Sequence, residues 1–120
     1  MAAESKVTIN ISITGLGSEI QMKDVFLGTT PAEATKHYRI LAVADTAEAL
    51  DLGGISTVQG ICIKAVSGGI YIDTSFVAAF VNELTIAEGQ TAYFKPAGIV
   101  YVKNITAAAT PSYEYIVFGT

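Results

Sequence analysis

The sequence predicts an all-β protein: a single antiparallel β-sandwich, jelly-roll or Ig-like, of about eight to ten short strands spanning residues 1–120. Three observations predict it. An unbroken apolar/polar alternation opens the chain. Turn signals recur at roughly the 8–12-residue spacing expected of a sandwich or barrel. No amphipathic helix of about 10–15 residues separates any two β-rich runs, which excludes βαβ units and a parallel sheet.

The first element is Val7-Thr8-Ile9-Asn10-Ile11-Ser12-Ile13-Thr14. Period two puts Val7, Ile9, Ile11 and Ile13 on one face, where a helix would scatter them around its axis. A slip of one residue would move all four into water, so the strand is expected in a sheet with that face inward. Gly15-Leu16-Gly17-Ser18 is a turn, and a second strand follows through Glu19–Lys23, resuming at Val25-Phe26-Leu27 after a bulge or bend at Asp24. Thr30-Pro31-Ala32-Glu33 carries a helix-start pattern, with Thr30 as N-cap, and leaves room for about one or two turns. Tyr38–Val43 reads as a strand. Leu50-Asp51-Leu52 reads as a short strand or a single helical turn, ended by Gly53-Gly54.

The second half is more regular. Ile61–Val66, the turn Ser67-Gly68-Gly69 and Ile70–Asp73 give a hairpin signal. Phe76–Val81 is apolar throughout and reads as a strand with two apolar faces, with a helix turn or a fully buried central strand as the alternatives. Leu84–Ile86, Ala92–Phe94, Ile99–Val102 and Tyr113–Phe118 complete the set. Lys95-Pro96-Ala97-Gly98 is a turn and Thr106–Pro111 a loop of small residues.

Composition narrows the function. Of 120 residues, 51% are hydrophobic and only 15% charged, below the usual share of about 25%. Disordered chains show the opposite balance. Charged or polar residues interrupt every apolar stretch before the roughly 18 residues of a membrane-spanning helix, so no membrane role is expected. Seven Lys and Arg against 11 Asp and Glu give a net charge of −4, without the footprint of a nucleic-acid binder. The first residues lack a basic region followed by an apolar one, so no secretory signal is expected. The single cysteine, Cys62, forms no intramolecular disulfide and fits a reducing cytoplasm. Such an apolar chain needs covering, and burial in a homo-oligomeric assembly is the expected cover.

No chemistry stands out. His37 is the lone histidine, and with one distant cysteine it does not furnish the three or four ligands of a zinc site. Cys62, between Ile61 and Ile63, reads as a small core hydrophobe. A nucleophile would want His37 beside it. No GxSxG, P-loop or GxGxxG occurs, the carboxylates are scattered singly, and no calcium-loop run exists. Asn10-Ile11-Ser12 and Asn104-Ile105-Thr106 match the N-glycosylation pattern by coincidence, given no signal peptide. Tyr113 and Tyr115 share a face of the last strand. They read either as packing, in the sandwich or at a subunit contact, or as an aromatic platform for sugars. In Phe76–Val81 both faces are apolar and only one fits a single core, so Val77 and Ala79 are expected outside and Phe76 and Phe80 inside. The candidate interface is therefore Val77, Ala79, Tyr113 and Tyr115. No catalytic residue, cofactor or metal is expected.

The order "ALDLGGIST" from Ala49, "GICIKAV", "GGIYIDTS", the G-x-x-A-x-F-x-P step from Gly89 to Pro96 and the terminal "YEYIVFGT" resembles small virion structural proteins of tailed bacteriophages. The resemblance covers about residues 48–120 and rests on structural residues. It implies a β-sandwich acting as a non-enzymatic capsid decoration or cement subunit, or a head–tail or fibre-associated module. The implied partners are other virion proteins, the major capsid protein first, and copies of the chain. The implied location is the virion, assembled in the host cytoplasm. Readings of other classes are a carbohydrate-binding or host-attachment module of a fibre or tail, and a small hydrolase domain.

Overall fold

The computed structural model describes residues 4–29 and 31–120, and every regular element among them is a β-strand. In chain order these are β1 (Ser5–Ile13), β2 (Ile20–Thr29), β3 (Glu33–Ile40), β4 (Glu48–Ala49), β5 (Val58–Ser67), β6 (Ile70–Phe76), β7 (Leu84–Ile86), β8 (Thr91–Phe94), β9 (Ile99–Asn104) and β10 (Ser112–Gly119). All pairings are antiparallel. β1 and β2 form a two-stranded sheet. The rest form two four-stranded sheets, ordered β3-β10-β5-β8 and β4-β9-β6-β7. The chain is an all-β protein with sandwich architecture.

It divides into two compact units at the Ala32/Glu33 boundary. All eight strands of the sandwich lie in the second. In the first, Val7 pairs with Leu27, Ile9 with Val25, Ile11 with Met22 and Ile13 with Ile20. Between the Ile9–Val25 and Ile11–Met22 pairs, one residue of β1 (Asn10) opposes two of β2 (Lys23 and Asp24), which is the expected bulge. The expected inward face is only partly met. Val7 and Ile9 are half-buried, whereas Ile11 is 47% and Ile13 42% exposed. A two-stranded ribbon has no second layer of its own to cover that face.

The sandwich core lies between the two four-stranded sheets. Ile61, Ile63 and Ala65 of β5 and Tyr113, Tyr115 and Val117 of β10 meet Ile70 and Ile72 of β6, Ile86 of β7 and Val100 and Val102 of β9. Each set sits at every second residue, as the pleat requires. Full burial of each such aliphatic side chain contributes about 1.5–3 kcal/mol.

Four expectations are corrected. Ser67-Gly68-Gly69 does not close a hairpin: β5 and β6 belong to opposite sheets, so the turn is an arch between layers. Both strands point their isoleucines into the same core, which pairing side by side does not require. Gly68 has φ +80°, and a Cβ on Gly69 would stand 2.6 Å from Ile105 Cδ1. The strand expected at Tyr38–Val43 begins earlier, at Glu33, and displaces the helix expected there; its cap Thr30 lies outside the described residues. The inward face of β3 is polar (Thr35, His37 and Arg39), so hydrophobic periodicity did not mark it. The strand at Leu50–Leu52 is instead β4, two residues earlier, and Leu50 continues it with one N–H donated to Val100 O at 2.9 Å. Finally, Phe76–Val81 is not a strand: β6 ends at Phe76 and the remainder is loop.

Candidate functional site

That loop is the most distinctive surface of the sandwich. It runs from Val77 to Glu83 beside the outer face of the β4-β9-β6-β7 sheet, and two carboxylates hold it. The N–H groups of Ser75 and Val81 donate to Asp73 Oδ1 and Oδ2, both at 2.9 Å. The N–H of Thr74 and the hydroxyl of Ser75 donate to Glu83 Oε1 at 2.9 and 2.8 Å. Glu83 N–H returns the chain to the sheet by donating to Ile72 O at 2.9 Å. Asp73 is buried, and the bond from Val81 N–H holds its carboxyl below the ordinary aspartate range, with Ser75 N–H assisting and burial opposing. Within the loop Ala78 takes φ +62°. Such left-handed backbone in a non-glycine residue persists only where its surroundings impose it.

The phenylalanines do not enter the core. On β9, Val100, Val102 and Asn104 point inward, so Tyr101 and Lys103 point outward. Phe76 stacks on Tyr101 with ring centroids 3.7 Å apart, and the Lys103 ammonium lies 6.0 Å from the Phe80 centroid. Both rings therefore pack on the outside of the sheet, correcting the inward placement. Val77 is left 81% exposed, and Ala79 and Val81 are exposed with it. Asp73, Ser75, Val77, Ala79, Val81 and Glu83 line a shallow depression of about 270 Å³. The result is an apolar rim on a tightly tied loop.

Tyr113 and Tyr115 have another fate. They are 0% and 2% exposed and belong to the core cluster, which removes them from any surface contact or sugar platform. Their ring ends meet a polar network at the β3–β4 edge of the sandwich. Arg39 Nη2 donates to Glu48 Oε1 at 2.9 Å and Nη1 stands 3.6 Å from Asp51 Oδ2. Tyr115 Oη donates to the Asp51 carbonyl at 2.7 Å, and His37 stacks on the Tyr115 ring at 4.9 Å. Tyr113 Oη has no hydrogen-bond partner among the described residues. Burial, first, and nearby acidic groups push the Tyr115 hydroxyl up to about 12 and that of Tyr113 higher still.

His37 and Cys62 are not brought together. Tyr115 pairs with His37 and Ile63, while the next residue, Ile116, pairs with Lys36 and Cys62. Adjacent rows face opposite sides of a sheet, so imidazole and thiol lie on opposite faces. His37 bonds to Thr35 Oγ1 at 2.9 Å, and burial pushes the half-buried Cys62 thiol up, away from the reactive thiolate. No three His, Cys, Asp or Glu side chains converge as a metal site among the described residues.

Sequence reading placed Val77 and Ala79 outside but missed Asp73 and Glu83. The only sequence signal was Asp73-Thr74-Ser75, where an aspartate can bond the backbone two residues on. A second clamp was also missed. Asp45 and Asn104 bond reciprocally, N–H to Oδ1 at 2.8 Å and Nδ2–H to Oδ1 at 2.9 Å, tying loop to sheet across 59 residues. Compared with protein-family models, curated proteins and solved structures, the chain matches none of them.

Proposed function

We propose that this chain is a non-enzymatic structural subunit of a tailed-bacteriophage virion, a capsid decoration or cement protein that docks on the capsid surface and associates with copies of itself. One observation carries the reading: Val77, Ala79 and Val81 are exposed apolar residues on a loop tied back to β6, by Val81 N–H on Asp73 and by Glu83 on Thr74 and Ser75. Exposed apolar side chains on a tied loop lose little entropy on docking, which favours binding over chemistry. The resemblance of residues 48–120 to phage virion proteins supplies the setting, with the major capsid protein as partner.

The test is co-sedimentation of the purified protein with empty capsids. Wild-type chain is expected to pellet with particles. Val77→Glu and Ala79→Glu should weaken that retention with unchanged melting, because both residues are exposed. A protein that binds no virion component, or charge variants that pellet like wild type, would overturn the assignment.

A further inference from the structure

The outer face of the β3-β10-β5-β8 sheet combines exposed apolar residues with three charges. Tyr113, Tyr115 and Val117 of β10 and Ile61 and Ile63 of β5 point into the core, so the residues between them point outward. The register lays these out in rows across the four strands: Lys36, Ile116, Cys62 and Tyr93 in one, Tyr38, Glu114, Lys64 and Thr91 in the next. Lys36, Tyr38, Lys64, Ile116 and the neighbouring Ile40 are exposed, and Glu114, Cys62 and Tyr93 are half-buried among them. Neither lysine nor Glu114 stands in an ion pair among the described residues. Lys36, Cys62, Lys64, Thr91, Glu114 and Ile116 line a shallow depression of about 220 Å³.

We propose that this face stacks on the same face of a second copy of the chain, in a two-fold homodimer whose axis runs along the strands between β10 and β5. The rows select that occupant. Given the order β3-β10-β5-β8, such an axis exchanges β10 with β5 and β3 with β8. Glu114 and Lys64 are register partners, so each copy's Glu114 comes to face the partner's Lys64, twice over. In the other row Lys36 meets the ring of the partner's Tyr93, and Ile116 enters the depression beside the partner's Cys62. Every charge on the face thus meets an opposite charge or an aromatic ring, as a charge taken out of water requires. An isologous contact needs only one such self-complementary patch. Stacked sheets lie about 10 Å apart, within the combined reach of a lysine and a glutamate side chain. Four strands spaced about 4.8 Å, rising about 3.4 Å per residue over roughly eight residues, present at most roughly 500 Å² of flat face. That is below the about 800 Å² per partner of a standard interface, so the dimer should form and dissociate with concentration. The inference rests on the self-association half of the proposed function and gives it a surface. Capsid docking through Val77 is a separate contact, beside the other sheet.

The experiment is the mass of the full chain by light scattering over a concentration series, with the melting midpoint taken where the chain is dilute. Wild type is expected to rise from the mass of one chain to that of two. Glu114→Lys and Lys64→Glu each set like charges against each other across the axis and should raise the dissociation constant by about tenfold or more. The double swap Glu114→Lys/Lys64→Glu should restore it. Ile116→Glu places an unpaired carboxylate in the depression and should cost about a hundredfold or more, with the dilute melting midpoint unchanged. Val77→Glu should keep the dimer. A wild type that stays monomeric overturns the inference, as does an Ile116→Glu protein that dimerises like wild type. So does a double swap no better than the single variants, or dissociation by Val77→Glu. A fall in the dilute melting midpoint of Ile116→Glu also overturns it, because the chain itself would then cover that side chain. If Val77→Glu abolishes capsid retention while Ile116→Glu leaves the mass unchanged, the sheet-to-sheet contact fails and the decoration reading survives. If the mass follows the variants as expected and wild type pellets with no capsid, the decoration reading fails and the dimer stands.

Discussion

Asp73 and Val81 are joined by one hydrogen bond, 2.9 Å from the Val81 N–H to Asp73 Oδ2, and that bond decides what the apolar run at Phe76–Val81 becomes. With the second oxygen on Ser75 N–H, the carboxylate converts a would-be strand into a loop. Phe76 and Phe80 turn back to the sheet while Val77 and Ala79 turn out.

Removing the carboxylate should free the loop without unfolding the sandwich. In Asp73→Ala the Val81 and Ser75 amides lose their acceptor, whereas the core between the two four-stranded sheets is untouched. Hydrogen exchange is expected to show protection lost at Val81 and Ser75 and retained at Ile61–Ile63. Capsid retention should fall as in Val77→Glu, because the rim would no longer be preorganised. Full protection at Val81 in the variant would show that the loop is held by something else.

Acid should act through the same group. Asp73 and Asp45 both titrate below the ordinary aspartate value of 3.8, Asp73 through Val81 N–H and Asp45 through Asn104. A carboxyl depressed in the folded state binds fewer protons there than in the unfolded chain. Its stabilisation is fully present above 3.8 and is lost as pH falls through the folded value. Chemical denaturation midpoints are therefore expected to be flat from neutrality down to about pH 5 and to drop below about pH 4. In Asp45→Asn/Asp73→Asn the drop should shrink. An unchanged acid limb in that double variant would remove both clamps from the explanation.

Much of the sandwich is legible in the sequence because its inner faces are built from aliphatic residues at strict period two, as at Ile61/Ile63 and Ile70/Ile72. Only the end of β3 is legible, in the strand read at Tyr38–Val43, and its start escaped for the opposite reason. Its inward residues are Thr35, His37 and Arg39, and their polarity is satisfied by Thr35, the Tyr115 ring, Glu48 and Asp51, all but the first remote in sequence. Gly68-Gly69 announces a reversal of direction but not whether the chain returns beside β5 or opposite it, because that choice is made by the core on both sides. The clamp at Val77–Val81 was hidden because a short apolar run has no period, and the bond that shapes it spans eight residues.

Alkali should reach the core through its tyrosines. Tyr115 ionises only near 12 and Tyr113 higher, both raised from 10 by burial. A raised acid group in the folded state favours the protonated form, so its contribution is complete below pH 10 and is lost as pH climbs toward 12. Phenolate absorbance is expected to show two tyrosines whose titration coincides with the loss of near-ultraviolet dichroism. If all six tyrosines ionise near 10 with the fold intact, burial of this pair is not what the geometry indicates.

Tyr113 and Tyr115 also make a paired test of what a buried hydroxyl contributes. Tyr115 Oη donates to the Asp51 carbonyl, so Tyr115→Phe gives up a formed hydrogen bond and leaves that carbonyl short of one donor. The expected cost is about 1 kcal/mol. Tyr113 Oη is buried without a partner among the described residues, and the desolvation of an unsatisfied group, about 1–3 kcal/mol, opposes folding. Tyr113→Phe removes that group while keeping the ring that fills the core, so it should be neutral or stabilising. The two substitutions delete the same atom from neighbouring positions on one strand face and are expected to change stability in opposite directions. Urea midpoints at fixed slope measure both. If Tyr113→Phe destabilises as much as Tyr115→Phe, the Tyr113 hydroxyl has a partner in solution, and the Arg39–Glu48 edge is where it would be found.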